Sequence, residues 1–153
     1  MNKKTFTFLF ITLSALLVGC FQQAKQPEEI ADLLQIRFQD TSEISLRTPI
    51  IVWINNTSNY CIEFPLEGEI KAVYAQQKEK WVEIPNLVKK AGNQNLIIEP
   101  KGDLLSERMV VISPDISSLV LEEPTKFYAL LAGYLCDDHN IQIQKEIPFT
   151  VLP

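Results

Sequence analysis

Glycine, histidine and basic residues are scarce in this chain of 153 residues, and each shortage excludes a class of function. The 5 glycines are scattered, so they cannot build the glycine-rich loops that hold phosphate groups. The Lys and Arg residues number 14 against 19 Asp and Glu, which gives a net charge of −5. This acidic balance disfavours binding to nucleic acid, and it also disfavours electrostatic adhesion to an anionic bilayer.

Few residues suggest catalysis. The single histidine, His139, follows Asp137 and Asp138; the three could belong to a metal site, but a polar turn is the favoured interpretation. A zinc site needs three or four ligands, and no second histidine or free thiol lies near this cluster. Glu67 and Glu69 could bind a cation as a pair, although solvated turn residues are expected. No serine stands in a Gly-x-Ser-x-Gly elbow. We therefore expect no metal, no cofactor and no enzymatic activity.

The chain from Leu33 onward also lacks a long amphipathic helix. In this part, apolar residues instead alternate with polar ones, as in Ile50, Val52 and Ile54. Short runs of this kind are separated by turn signals about every 8–12 residues, which is typical of all-β domains. The pattern predicts an immunoglobulin-like antiparallel β-sandwich of about 7–9 strands, with a small β-barrel as the alternative.

Three segments give finer expectations. Residues 76–80 lie between two apolar runs and predict a hairpin turn. The apolar run Phe127–Leu135 predicts a central or doubly buried strand. Apolar residues alternate again from Ile141 to Val151, where Pro148 cannot donate a ladder hydrogen bond. Pro148 therefore indicates a sheet edge or a bend.

The N-terminus has the pattern of a secretory signal peptide. Lys3 and Lys4 precede an apolar run from Thr5 to Val18, which is shorter than the roughly 20 residues of a spanning helix. A buried hydrophobic helix is the less favoured alternative. The chain becomes polar again at Gln22, after Gly19 and Cys20.

The four residues Leu17-Val18-Gly19-Cys20 resemble the lipobox of bacterial lipoprotein signal peptides. The resemblance implies cleavage after Gly19 and a diacylglyceryl group on the Cys20 thiol. It also implies a place in the bacterial cell envelope, anchored to a membrane by lipid. With Phe21 rather than Asp after the cysteine, this would be the outer membrane of a Gram-negative host, or the outer face of the plasma membrane of a Gram-positive one. The strand pattern of the mature chain resembles immunoglobulin-like β-sandwich lipoproteins.

These observations divide the chain into three parts. Residues 1–19 form the signal peptide, residues 20–32 form the lipidated cysteine and a flexible tether, and residues 33–153 form the β-sandwich domain. Within the tether, Pro27 followed by Glu28 and Glu29 could instead begin a short helix. Because the apolar alternation starts at Leu33, nothing before that residue is expected in the core.

If Cys20 carries lipid, Cys61 and Cys136 remain to be paired. Cys61 begins one predicted strand and Cys136 ends another, and these strands are antiparallel neighbours in an immunoglobulin-like sandwich. The envelope permits disulfides. A Cys61–Cys136 bridge is therefore expected, with two unrelated buried thiols as the alternative.

In their predicted strands, Trp53 and Trp81 alternate with the apolar residues, so their side chains point to the opposite face of the sheet. If that face is exposed to solvent, the indoles form a binding surface for sugar rings or a protein partner. The favoured interpretation is that one or both fill the core.

The leading hypothesis for function is a monomeric, membrane-anchored binding or structural module. The alternatives are an accessory subunit or inhibitor of an envelope protein, and a carbohydrate-binding module that uses Trp53 and Trp81. An enzyme ranks last.

Overall fold

The computed structural model describes residues 26–40, 43–45, 49–65, 68–88, 95–119 and 121–153. Leu17, Val18, Gly19 and Cys20 lie outside these residues, so the signal peptide and the lipidation site stay predictions. Within these residues, the secondary structure consists of one short helix, α1, followed by ten strands: α1 Pro27–Asp32, β1 Leu34–Phe38, β2 Glu43–Ser45, β3 Ile50–Asn56, β4 Ile62–Phe64, β5 Ile70–Gln77, β6 Lys80–Ile84, β7 Leu96–Ile98, β8 Glu107–Ile112, β9 Thr125–Leu135 and β10 Asp138–Leu152.

The strands form two sheets. The smaller sheet has the order β1-β3-β8, and the larger has the order β2-β10-β9-β4-β7, with β5 added beside β9 and β6 beside β5. Neighbouring strands are antiparallel except β2 and β10, which are parallel. The orders β1-β3-β8 and β10-β9-β5-β6 correspond to strands A-B-E and G-F-C-C′ of the immunoglobulin arrangement. The predicted all-β sandwich is therefore confirmed.

The predicted details of the larger sheet also agree with the structure. The hairpin expected at residues 76–80 is the β5–β6 turn, where Gln77 faces Lys80. Pro148 pairs with Tyr128 of β9, whereas β2 joins the other side of β10 only from Thr150 onward. Among the described residues, Pro148 thus lies on an edge segment, which is where proline is tolerated in a sheet.

The core lies between the sheets and is filled by every second residue of the strands, namely those whose side chains point inward. Alternation along β3 buries Ile50, Val52 and Ile54. The long strands β9 and β10 contribute Phe127 and Phe149, whose rings stack with centroids 5.4 Å apart. Side chains of alternate residues point to opposite faces of a strand, so the residues between these are left on the outer faces.

The structure corrects the N-terminal boundary of the domain. Ile30 is 1% exposed and Ala31 is 5% exposed, and both pack into the core. The Lys145 ammonium on β10 donates a 2.8 Å hydrogen bond to the carbonyl of Ala31. The expectation that nothing before Leu33 belongs to the core is therefore wrong, and the alternative of a short helix beginning at Pro27 is confirmed.

The two ends of the sandwich differ, and we call them the helix end and the far end. At the helix end, the Thr57 N–H donates to the Leu33 carbonyl (3.0 Å) and the Asn56 N–H to the Ser106 carbonyl (2.8 Å). Loop 99–106 and the start of β1 thus lie together there. The far end holds the β5–β6 turn, the start of β9 and the end of β10, because Ala75 and Val151 pair with the first residues of β9.

Candidate functional site

An open groove of about 440 Å³ lies on the outer face of the larger sheet, towards the far end. Its volume falls within the range of small-molecule sites, about 300–1,000 Å³. We call it the Trp81 groove and define it by the outward-pointing residues that line it: Trp81, Lys126, Tyr128, Glu146, Pro148 and Thr150.

Strand register brings these side chains together. Tyr128 on β9 lies directly opposite Tyr74 of β5 on one side and Pro148 of β10 on the other. The Tyr74 and Tyr128 rings stack with centroids 4.8 Å apart, and the Trp81 ring meets Tyr128 edge-on at 4.8 Å. Because Phe127 points into the core, its neighbour Tyr128 must point outward.

The groove combines an apolar floor with polar walls. Trp81 is 47% exposed, although large aromatic side chains are usually covered. Lys126 supplies a cation, Glu146 an anion and Thr150 a hydroxyl, so donors and acceptors surround the aromatic rings. Burial raises the pKa of the Tyr128 hydroxyl, and Tyr74 and Glu146 raise it further, so the phenol remains a neutral donor.

Trp53 lies on a different surface. It is half-buried on the outer face of the smaller sheet, where the Arg37 guanidinium sits 5.7 Å from its ring centroid and also contacts Glu107 at 3.2 Å. Neither tryptophan belongs to the buried core. The interpretation that one or both fill the core is therefore wrong, and the two indoles do not share a site.

The predicted Cys61–Cys136 disulfide is present, with a Cα–Cα distance of 5.4 Å. It links the residue before β4 to the residue after β9, and the Cys136 N–H also donates to the Cys61 carbonyl (3.1 Å). The bridge lies within one sheet, at the helix end, and both cysteines are half-buried. It holds the β9–β10 turn beside the start of β4.

His139 belongs to a small polar cluster beside this disulfide. Its Nε2 atom lies 2.8 Å from Glu63 Oε2, and the amide of Asn95 donates to the other oxygen of Glu63. The Tyr134 ring lies 6.0 Å from the imidazole. Hydrogen bonds from Asn95 and then from His139 lower the pKa of Glu63. His139 remains largely exposed, so the cluster sits on the surface rather than in a pocket.

Sequence reasoning placed His139 in a polar turn with Asp137 and Asp138, and it missed Glu63 and Asn95. Asp137 and Asp138 are exposed. Glu63 could have been found from the predicted disulfide. Pairing Cys61 with Cys136 places Ile62 opposite Leu135 and Glu63 opposite Tyr134. The chain turns back directly after Cys136, so His139 comes near Glu63. Asn95 carried no such signal, because it precedes a strand of only three residues.

The remaining candidates from the sequence are Glu67 and Glu69. Glu67 lies outside the described residues, and the Glu69 carbonyl accepts a hydrogen bond from Ala132 (3.0 Å). Within the described ranges, no three His, Cys, Asp or Glu side chains are grouped so that they could hold a metal ion. In the same part of the chain, no helix has the length and apolarity needed to cross a membrane.

Comparison with known proteins does not extend these observations: no protein-family model matches the chain, and no curated protein matches it.

Proposed function

We propose that this protein is a lipid-anchored lipoprotein of the bacterial envelope whose β-sandwich is a non-catalytic binding module, and that the Trp81 groove is its binding surface. The observation that carries the proposal is the aromatic group at the groove, in which Trp81 is exposed and the two tyrosines that it adjoins are half-buried. Trp81, Tyr128 and Tyr74 form one contiguous set on a sheet face, with Lys126 and Glu146 beside them. Exposed aromatic clusters with a polar rim are typical of recognition surfaces.

The anchor rests on the sequence Leu17-Val18-Gly19-Cys20. A diacylated cysteine carries two chains, which hold a protein on a bilayer stably, whereas a single chain holds it only marginally. Metabolic labelling with a fatty-acid analogue tests this part. The wild-type protein should incorporate label and Cys20→Ala should not, while Cys61→Ala serves as the matched cysteine control. Equal labelling of wild type and Cys20→Ala would contradict the anchor.

A carbohydrate is the ligand that the groove composition favours. A sugar ring presents C–H groups to an aromatic ring and hydroxyls to surrounding polar side chains. The Trp81 groove offers both kinds of contact, since Trp81 and Tyr128 are flanked by Lys126, Glu146 and Thr150. Trp53 offers no comparable surface, because Arg37 already covers its ring.

Isothermal titration calorimetry measures binding without using either tryptophan as the reporter. Titration of the folded wild-type protein with soluble oligosaccharides, including cell-wall fragments, should give a heat of binding. We expect Trp81→Ala to abolish the response, whereas Trp53→Ala, the matched control on the opposite outer face, should retain it. A response that survives in Trp81→Ala would place the binding site elsewhere.

A protein ligand is the second candidate, corresponding to an accessory subunit or inhibitor. Tyrosine and tryptophan are enriched in interface hot spots, so the same groove suits both classes of ligand. A photo-crosslinking residue in place of Glu83, which is exposed on β6 next to the groove, separates them. A discrete crosslinked protein together with no oligosaccharide response would favour the accessory-subunit function.

A further inference from the structure

Two leucines at the tip of loop 99–106 are exposed to solvent. We call this loop the Leu104 loop. Leu104 is 99% exposed and Leu105 is 49% exposed. Single exposed apolar residues are common on protein surfaces, but two adjacent leucines at a loop tip form one continuous apolar patch.

The Leu104 loop is held in a defined shape by its own hydrogen bonds. The Leu105 N–H donates to Asp103 Oδ1 (2.9 Å), and the Leu105 carbonyl accepts from Glu99 N–H (3.3 Å). Gly102 supplies the turn with a φ of +89°, a conformation that other residues rarely adopt. The exposure of the leucines is therefore built into the fold.

The loop lies at the end of the sandwich from which the N-terminal segment leaves. The Lys101 N–H donates to the Ser58 carbonyl (2.9 Å), and the adjacent Thr57 N–H donates to the Leu33 carbonyl, just after α1. The Leu104 loop and α1 are therefore both fastened to the same β3–β4 turn at the helix end.

The distance from the lipid to this end is limited by chain length. Six residues, 21–26, separate Cys20 from Pro27. At 3.3–3.6 Å per residue, a fully extended chain from Cys20 to Pro27 reaches at most about 25 Å. Whatever conformation these residues adopt, a lipidated Cys20 keeps the helix end close to the bilayer.

We propose that the Leu104 loop contacts the lipid interface, so that the domain stands on its helix end and presents the Trp81 groove away from the membrane. This inference rests on the proposed lipid anchor. The far end lies farther out because β9, with 11 residues, spans about 35 Å. The anchor and the leucines then act together: the acyl chains hold the protein on the bilayer, and the loop sets its orientation.

Charge at the helix end predicts which lipids favour the contact. Glu28, Glu29, Asp137 and Asp138 are exposed there, and they outnumber Lys101, which is exposed on the Leu104 loop itself. Acidic side chains repel anionic headgroups over a Debye length of about 8–10 Å. Contact is therefore expected to be deeper on zwitterionic vesicles than on vesicles rich in anionic lipid.

Depth-dependent quenching tests the orientation in the full lipidated protein. In a Trp53→Phe/Trp81→Phe background, one variant carries Leu104→Trp and its control carries Leu87→Trp. Leu87 is also exposed (62%), but its N–H donates to Ser113 after β8, at the far end. Both variants are reconstituted into phosphatidylcholine vesicles with brominated acyl chains, and vesicle flotation verifies that each is bound.

We expect the emission of Leu104→Trp to shift to the blue and to be quenched by bromines near the headgroup boundary, about 5–10 Å deep. The emission of Leu87→Trp should be unchanged, and anionic lipid should weaken the quenching of Leu104→Trp. Floating protein in which neither tryptophan is quenched, or both are quenched equally, would overturn the orientation while leaving the anchor intact. Protein that carries no lipid and does not float would overturn the anchor, and the orientation with it.

Discussion

The side chain of Asn56 ties the helix end of the sandwich together. It is fully buried, and its amide nitrogen donates to the carbonyls of Tyr60 (2.7 Å), Ile98 (3.4 Å) and Glu99 (3.1 Å). Its oxygen accepts from both the N–H and the hydroxyl of Ser58. One residue thus fixes the β3–β4 turn against the end of β7.

Asn56→Asp should be strongly destabilising, because it replaces the donating amide by a second oxygen that faces three carbonyls. A buried polar group left without partners costs about 1–3 kcal/mol, and a charged one costs more, so we expect a loss of at least about 3 kcal/mol. Urea denaturation measures the free energy of unfolding. Asn59→Asp, at an exposed position of the same turn, is the matched control and should change it by less than about 0.5 kcal/mol. Similar losses in both variants would contradict this role of Asn56.

At the scale of elements, Glu63 connects three strands of the larger sheet. It lies on β4, its carboxylate pairs with His139 on β10, and Asn95 before β7 donates to it. These hydrogen bonds lower the pKa of Glu63 in the folded state. A carboxyl with a lowered pKa stabilises the fold above its unfolded pKa, and this contribution is lost as the pH falls through the folded value.

Glu63→Gln should therefore make the free energy of unfolding depend less steeply on pH in the acid range. We expect the wild-type free energy of unfolding to fall more steeply than that of Glu63→Gln as the pH is lowered from about 5 to about 3. Urea denaturation at a series of pH values provides the measurement. Glu79→Gln, in the exposed β5–β6 turn, is the control and should follow the wild-type curve. Parallel curves for wild type and Glu63→Gln would show that these hydrogen bonds carry no net stability.

The disulfide lies beside this cluster and connects the start of β4 to the end of β9. It closes a loop with a sequence separation of 75, and a bridge of this kind stabilises a domain by roughly 2–4 kcal/mol. The double variant Cys61→Ala/Cys136→Ala should unfold at correspondingly lower denaturant. Reduced wild type is the control and should match the double variant. A double variant as stable as oxidised wild type would mean that hydrogen bonding alone holds this end.

Elements with strong periodicity were predictable from sequence, and those fixed by tertiary packing were not. Alternation on β3 and β10 identified their buried residues, and the cysteines identified two neighbouring strands. Ile30 and Ala31 gave no such signal, because two apolar residues in a polar stretch have no period. The Trp81 groove depends on the register of Tyr128 against Pro148, which the pattern of each strand does not specify.

At the scale of the whole molecule, α1 determines where the folded unit begins. Ile30 is buried against the core beside β10, and Lys145 reaches back to the helix at Ala31. If the lipid is attached at Cys20, the domain starts only a few residues from the membrane. With that anchor, α1 would be the last part of the chain leading from the membrane, and it is in any case a structural part of the sandwich.

Two truncated chains test this boundary. A chain of residues 26–153 should be a soluble all-β monomer, and a chain of residues 33–153 should fold with lower stability. Removing α1 exposes the core under Ile30 and deletes the acceptor of Lys145, which together cost about 2–4 kcal/mol. For a domain of this size, the melting temperature should fall by roughly 10 °C. Circular dichroism measures the melting temperature, and size-exclusion chromatography measures the oligomeric state.

Ile30→Ser in the longer chain separates packing from chain length. It keeps α1 and the Lys145 hydrogen bond but places a hydroxyl where the core needs an apolar side chain, so it should reproduce most of the loss. Glu29→Ser, one position earlier on the exposed side of α1, is the matched control and should leave the melting temperature close to that of the parent. Equal melting temperatures for the two truncated chains would show that the folded domain begins at Leu33 and that all of residues 20–32 act as a tether. A stable dimer of the shorter chain alone would show that α1 covers a surface that otherwise self-associates.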